Sequence, residues 1–173
     1  MKNYKKNLEL LTKNHVYSKE MEHDACGVGL IASTEGKKSR AIVEYGIEAL
    51  KAVWHRGAVD ADGKTGDGAG IHVEIPKNFF IEKIQVTGHD YDNSEICVGM
   101  IFLPRNDYSA QESCKTIVES ELTKNNFSIY GWRQVPVNSK VLGEKAFQTM
   151  PEIIQVLFKS NDPNLLDKNL ERK

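Results

Sequence analysis

Cysteine, net charge and long apolar runs are all scarce in this sequence, and each shortage closes off a class of function. Its three cysteines, Cys26, Cys97 and Cys114, are an odd number without CxxC spacing. Disulfide frameworks and zinc sites use denser, paired arrangements, so no metal site is expected and the thiols are expected to be reduced. Basic and acidic side chains number 23 and 24, a net charge of −1. That balance gives no electrostatic reason to expect a nucleic-acid or membrane-surface partner. No stretch approaches the roughly 20 apolar residues that span a bilayer.

The amino terminus, MKNYKKNLELLTKNHVYSKE, is lysine-rich. It lacks the apolar core of about 7–15 residues that a secretory signal needs. Its glutamates and scarcity of arginine argue against a mitochondrial presequence, so the expected compartment is the cytoplasm. The sequence shows no internal repeat or low-complexity linker, and no domain boundary is expected before residue 173. A hydrophobic fraction of 40% in a chain of this length can bury one ordinary core.

What is present begins after residue 20. Residues 1–20 carry charge and little periodic apolar content, and read as a leader or arm that contributes little to the core. Cys26-Gly-Val-Gly-Leu-Ile-Ala is then small, apolar and strand-like. From Ser39 to about Trp54, Val43, Ile47, Leu50 and Trp54 recur every three or four residues, the stripe of a core-facing helix. That helix is expected to stop near Gly57, with His55 and Arg56 in its last turn. A glycine- and aspartate-rich loop, Asp60 to Gly70, leads into alternating Ile71, Val73 and Ile75, which predict a half-buried strand ended by Pro76.

Ile96 to Leu103 is apolar nearly throughout and predicts a strand covered on both faces. Asp107 can cap a helix from Tyr108 to Lys124, with Cys114, Ile117, Val118 and Leu122 along one side. Phe127–Val135 and Ile153–Phe158 predict two more strands, and a charged tail follows Pro163. Strands in succession with helices between them suggest an α+β layered domain.

Cys26 has the strongest claim to chemistry. Gly27 and Gly29 leave the backbone around it open to close approach. At a mature amino terminus the thiol and its own α-amine, with a reference pKa of about 7.7–8.0, form a nucleophile and a base. From composition and spacing alone, a small cysteine buried in a core strand is the more usual reading. Arg56 by itself reads as a helix C-terminal arginine in a surface ion pair. The glycines of Thr65–Gly70 lack the lysine and Ser/Thr of a phosphate loop and lead into a strand, not a helix. They read as a tight turn with Asp67 bracing backbone amides. Cys97 and Cys114 fall on apolar faces and read as core residues.

HDACGVGLIA resembles the processing site and mature start of glutamate synthase large subunits. WHRGAVDADGKTGDGAGIHVEIP resembles that family's next block, and VGMIFLPRN and GWRQVPVNSKVLGEKAFQTMP follow in its order. The resemblance covers roughly residues 20–173. It implies a leader over 1–25 and, over 26–173, the first portion of a class II glutamine amidotransferase domain. The implied fold is a four-layer αββα amino-terminal-nucleophile hydrolase sandwich, present only in part.

By the same resemblance Cys26 is the nucleophile and Arg56 holds the substrate's α-carboxylate, for which a guanidinium fork suits better than a lysine. His55 is expected to be structural. The family's oxyanion donors come from a later HNGE segment that does not occur in this sequence. The chain is therefore expected to be incomplete and inactive alone, since each lost donor costs about 10²–10³ in rate. For the full-length protein the resemblance implies glutamine and 2-oxoglutarate as substrates, and FMN and an iron–sulfur cluster outside these residues. Electrons would come from NAD(P)H through a small subunit, or from ferredoxin. Two other readings stand beside it: a different class II amidotransferase, against which the blocks after Arg56 argue, and a truncated chain that is inert or serves as a binding module.

Overall fold

The computed structural model describes residues 6, 9, 10, 12, 13, 27–53 and 57–162. The chain divides into two compact units, Met1–Arg56 and Gly57–Lys173.

In the first unit, helix α1 (Arg40–Ala52) starts where the sequence provides a cap. Ser39 is extended, and its hydroxyl accepts the Ala41 N–H at 3.2 Å. Ile42, Val43, Ile47, Ala49 and Leu50 form its half-buried stripe. The helix ends at Ala52 with Lys51 in its last turn, short of the expected end near Gly57. The expected strand after Cys26 is also absent over residues 27–33. Val28 and Leu30 are about nine-tenths exposed there. An apolar segment becomes a strand only when a neighbouring backbone takes its N–H and C=O groups, and residues 27–33 join no described ladder.

The second unit is built on a three-stranded antiparallel sheet of order β1-β3-β2: β1 (Cys97–Leu103), β2 (Phe127–Gln134) and β3 (Glu152–Ser160). β3, in the middle, carries the most buried side chains, with Val156 and Leu157 at 1% and 0% exposure on opposite faces. Helix α2 (Lys77–Val86) covers part of the Leu157 face, where Phe80, Ile84, Ile96, Tyr130 and Leu157 form the core cluster. Helix α3 (Tyr108–Lys124) packs on the other face: Trp132, opposite Val156, donates its indole N–H to Glu119 at 2.6 Å. A 3-10 turn (Ser139–Val141) and the short helix α4 (Glu144–Thr149) connect β2 to β3.

α3 begins at Tyr108 as expected, because the Asp107 carboxylate accepts the Ala110 N–H at 2.9 Å. Its packed side differs from the expected one. Gln111, Cys114, Val118 and Leu122 face inward, whereas Ile117 is 63% exposed. Gln111 is the buried polar residue of this face, and its amide donates to the Pro104 carbonyl at 2.7 Å.

β2 carries a bulge between Ile129 and Gly131 that turns Tyr130 into the core. Gly131 sits at φ +146°, and a Cβ there would lie 2.9 Å from Thr87 Cγ2. The Thr87 hydroxyl lies between the carbonyls of Ile84 and Tyr130, at 2.7 and 2.8 Å. One side chain thus ties the end of α2 to the bulge.

Two strand expectations require correction. β1 is not covered on both faces, since Met100 and Phe102, which share the Leu157 face, are 47% and 63% exposed. Helix α2 lies against β2 and leaves Met100 and Phe102 exposed. Residues 71–76 form no strand, and Ile71, Val73 and Ile75 are 47%, 41% and 40% exposed. Alternation sets which face of a strand would be apolar; it does not supply the neighbour that makes one. Among the described residues no helix is long and apolar enough to cross a membrane.

Candidate active site

Cys26, His55 and Arg56 lie outside the described residues, as does the tail after Pro163. The neighbouring motif is described in full. From Ala58 to Asp67 the chain makes a tight hairpin. Asp60 donates its N–H to the Thr65 carbonyl at 2.7 Å, Asp67 donates its N–H to the Ala58 carbonyl at 3.2 Å, and Val59 bridges Gly66. The Asp67 carboxylate accepts the Ala58 N–H at 2.8 Å, the bracing role read from the sequence. Gly66 is required by this closeness, because a Cβ there would lie 2.8 Å from the Ala58 carbonyl oxygen.

Asp62 organises the hairpin tip. Its Oδ1 accepts the N–H groups of Lys64 and Thr65 at 2.9 and 2.7 Å, and its Oδ2 accepts the Thr65 hydroxyl at 2.6 Å. The Thr65 hydroxyl and then the Lys64 and Thr65 amides hold the Asp62 carboxyl down at about 2, well below its ordinary value. These bonds decide against a phosphate cradle. The amides that an anion would use already face carboxylates, whose charge would repel it.

The hairpin is also held from outside. Gly143 is buried, and a Cβ there would lie 2.6 Å from the Thr65 backbone nitrogen and overlap Thr65 Oγ1 and Asp62 Oδ2. Lys145, in the first turn of α4, pairs with Asp60 at 2.5 Å. At the far end of α4, Arg105 donates to the Phe147 carbonyl at 3.0 Å and stacks over its ring at 4.3 Å. Three sequence-distant blocks, ADGKTGDG, LPRN and LGEKAF, therefore meet around one six-residue helix. Asp62, Gly143 and Lys145 were not singled out by the sequence. The signal for the first was available, an aspartate three residues before a threonine beside a glycine, which is an Asx-turn pattern.

The other cysteines offer no competing nucleophile with the right chemistry. Burial, with Glu95 nearby, pushes the Cys97 thiol up to about 11, so it stays protonated at neutral pH. Cys114 lies half-buried on the packed side of α3. No group of three His, Cys, Asp or Glu among the described residues could hold a metal ion.

The pattern of the family Glutamine amidotransferases class-II matches residues 26–173, so its first matched position is Cys26. The chain belongs to the class II glutamine amidotransferases. Within this group the amidotransferase chain is 55% identical over 168 residues to the glutamate synthase [NADPH] large chain of Azospirillum brasilense, an alignment spanning 97% of this chain and 11% of that protein. It is 41% identical over 165 residues to the ferredoxin-dependent glutamate synthase of Pyropia yezoensis, covering 95% of this chain and 10% of the relative. The glutamate synthase [NADH] of Saccharomyces cerevisiae is 38% identical over 152 residues, covering 84% and 7%. The resemblance to glutamate synthase large subunits thus holds along nearly the whole amidotransferase chain, which spans about a tenth of the length of these curated relatives. Their names carry three different electron donors, so the likeness does not choose among them.

Proposed function

We propose that these residues form the glutamine-hydrolysing portion of a glutamate synthase large subunit, with Cys26 as nucleophile and Arg56 as the α-carboxylate anchor. The observation that carries this reading is a family match whose first position is Cys26, together with likeness to glutamate synthases over nearly the full chain. Residues 1–25 are a leader removed to free the α-amine of Cys26. That amine accepts the thiol proton, and the sulfur attacks the side-chain amide carbon of glutamine. Ammonia leaves with a proton returned to it, and water hydrolyses the γ-glutamyl thioester to glutamate.

In the complete protein 2-oxoglutarate would receive the ammonia. FMN and an iron–sulfur cluster held outside these residues would supply the reducing electrons, drawn from NAD(P)H through a small subunit or from ferredoxin. The amidotransferase portion completes a four-layer αββα sandwich in the full protein, which would cover the open end of the Leu157 face at Met100 and Phe102. The proposed compartment is the cytoplasm.

The test is the intact mass of the protein expressed from its native full-length frame, followed by Cys26→Ala. A chain beginning at Cys26 is expected, and Cys26→Ala should abolish glutamine hydrolysis while ammonia-dependent glutamate formation survives. A retained leader, or substantial hydrolysis by the variant, would refute the assignment.

A further inference from the structure

The exposed end of the Leu157 face is apolar on its β1 side and positively charged on its β2 side. Met100 and Phe102 make up the apolar side, at 47% and 63% exposure. Arg133 lies opposite Gln155 and Gln155 opposite Met100, so the three side chains form one row across the sheet. Each is tied to the next: Arg133 Nη1 donates to Gln155 Oε1, and Gln155 Nε2 meets Met100 Sδ at 3.1 Å. The guanidinium also stands 5.2 Å from the centre of the Phe79 ring, and Lys83 Nζ stands 5.1 Å from that same centre. Two half-buried cations thus gather on one ring of α2. Among the described residues neither pairs with a carboxylate. Glu82, the acidic residue of α2, is exposed and bonds to neither, while Lys77 and Lys159 already have partners in Glu95 and Asp92.

We propose that the layer covering this end of the sheet in the complete protein brings an aspartate or glutamate onto Arg133 and Lys83, burying an ion pair between the two layers. The inference rests on the reading of the complete protein as a four-layer sandwich. The occupant is a later segment of the same polypeptide. This chain spans 11% of the Azospirillum brasilense relative, which leaves ample length for such a layer. Covering Met100 and Phe102 takes the neighbouring guanidinium and ammonium out of water as well. A buried cation without a counter-charge is strongly destabilising, and a carboxylate offsets that cost. Arg133 is already oriented to receive one. Gln155 and Phe79 hold its guanidinium while most of its N–H donors stay unused, and a fork held in place can take a carboxylate bidentately.

The test uses the full-length protein and follows, by peptide mass, the thiol labelling of Met100→Cys, with Ile117→Cys on α3 as the exposed reference. The Met100→Cys thiol should label at least about 10-fold more slowly than the reference, because the layer covers it. Adding Arg133→Met removes the charge and leaves the partner carboxylate buried and unpaired. Labelling at Met100→Cys should then rise about 10-fold or more relative to the reference at pH 8. At pH 6 the rise should be several-fold smaller, because an unpaired buried carboxylate has a raised pKa and protonation removes the charge that needs a partner. Lys83→Met should give a smaller rise with the same pH trend, and serves if Arg133→Met does not fold. Labelling of Met100→Cys as fast as Ile117→Cys would leave the face uncovered, overturning the sandwich reading and the inference together. Protection that both charge-removing variants leave intact, or weaken equally at pH 8 and pH 6, would overturn the acidic partner and leave the sandwich standing.

Discussion

Leu157→Ala tests the packing on which the second unit depends. Leu157 is 0% exposed at the centre of β3, and Phe80, Ile84, Ile96 and Tyr130 converge on it from α2, the β1 approach and the bulge of β2. Shrinking the isobutyl group to a methyl loses about 2.4 kcal/mol of transfer free energy, at about 0.8 kcal/mol per buried carbon. A cavity term of about 24 cal/mol per Å³ adds to it wherever the neighbours cannot move in. Here they are held: Tyr130 is fastened through its hydroxyl to Asp92 at 2.9 Å, and Thr87 secures the carbonyl behind it. The expected loss is therefore about 3–5 kcal/mol, in the upper part of the range for buried leucines. Urea unfolding followed by tryptophan fluorescence would measure it. The m-value should stay constant, so that the midpoint shift reports stability. Ile117→Ala is the internal control, because Ile117 is 63% exposed on α3 and should shift stability by no more than about 0.5 kcal/mol. A Leu157→Ala loss below about 1 kcal/mol, or one matched by Ile117→Ala, would refute the assignment of the core.

Two further tests probe local devices. Asp107→Ala should cost about 1 kcal/mol by removing the carboxylate that accepts the Ala110 N–H at the start of α3, and Asp107→Ser should recover most of it in the same unfolding assay. The Asp92 carboxyl is held well below its ordinary range, chiefly by Lys159 and then by Ser94 and Tyr130. A depressed carboxyl contributes stability above its unfolded pKa of about 3.9 and loses that contribution as pH falls further. The stability difference between wild type and Asp92→Asn should therefore narrow as pH is lowered from about 5 to about 2.5. A constant difference across that window would remove Asp92 from the acid response, leaving Asp62, whose pKa is depressed in the same direction.

The sequence was most legible where a local signal coincided with a packed face. Ser39 and Asp107 mark the starts of α1 and α3, and the apolar run before Ser160 marks the central strand. α2 was not legible: Pro76 before it gives no side-chain cap, and its inward face is only Phe80 and Ile84 with Ile81 half-buried beside them. Ile71, Val73 and Ile75 show the converse failure, a clear strand pattern without a described partner. Ile117 was misplaced because its three- and four-residue spacing is shared by two faces of α3, and Gln111, a polar residue, decides which one is buried. At the candidate site, Asp67 could be read as a turn brace because its partner is close in sequence. The seat for the hairpin at Gly143 could not, because a glycine that is essential for closeness looks like any loop glycine until the other surface is known.

The order β1-β3-β2 also has a consequence in time. Neither outer strand pairs with the other; both pair with β3, with Cys97 opposite Phe158 and Phe127 opposite Ser160. During synthesis, β1 and β2 are therefore made before the strand that joins them, and this sheet cannot close until the stretch ending at Ser160 has emerged. The loop between Cys97 and Phe158 must be closed in one late step, which favours slow assembly. Until then two strand edges remain available to other chains, so crowding by nascent neighbours is the condition under which this part of the protein is most prone to aggregate.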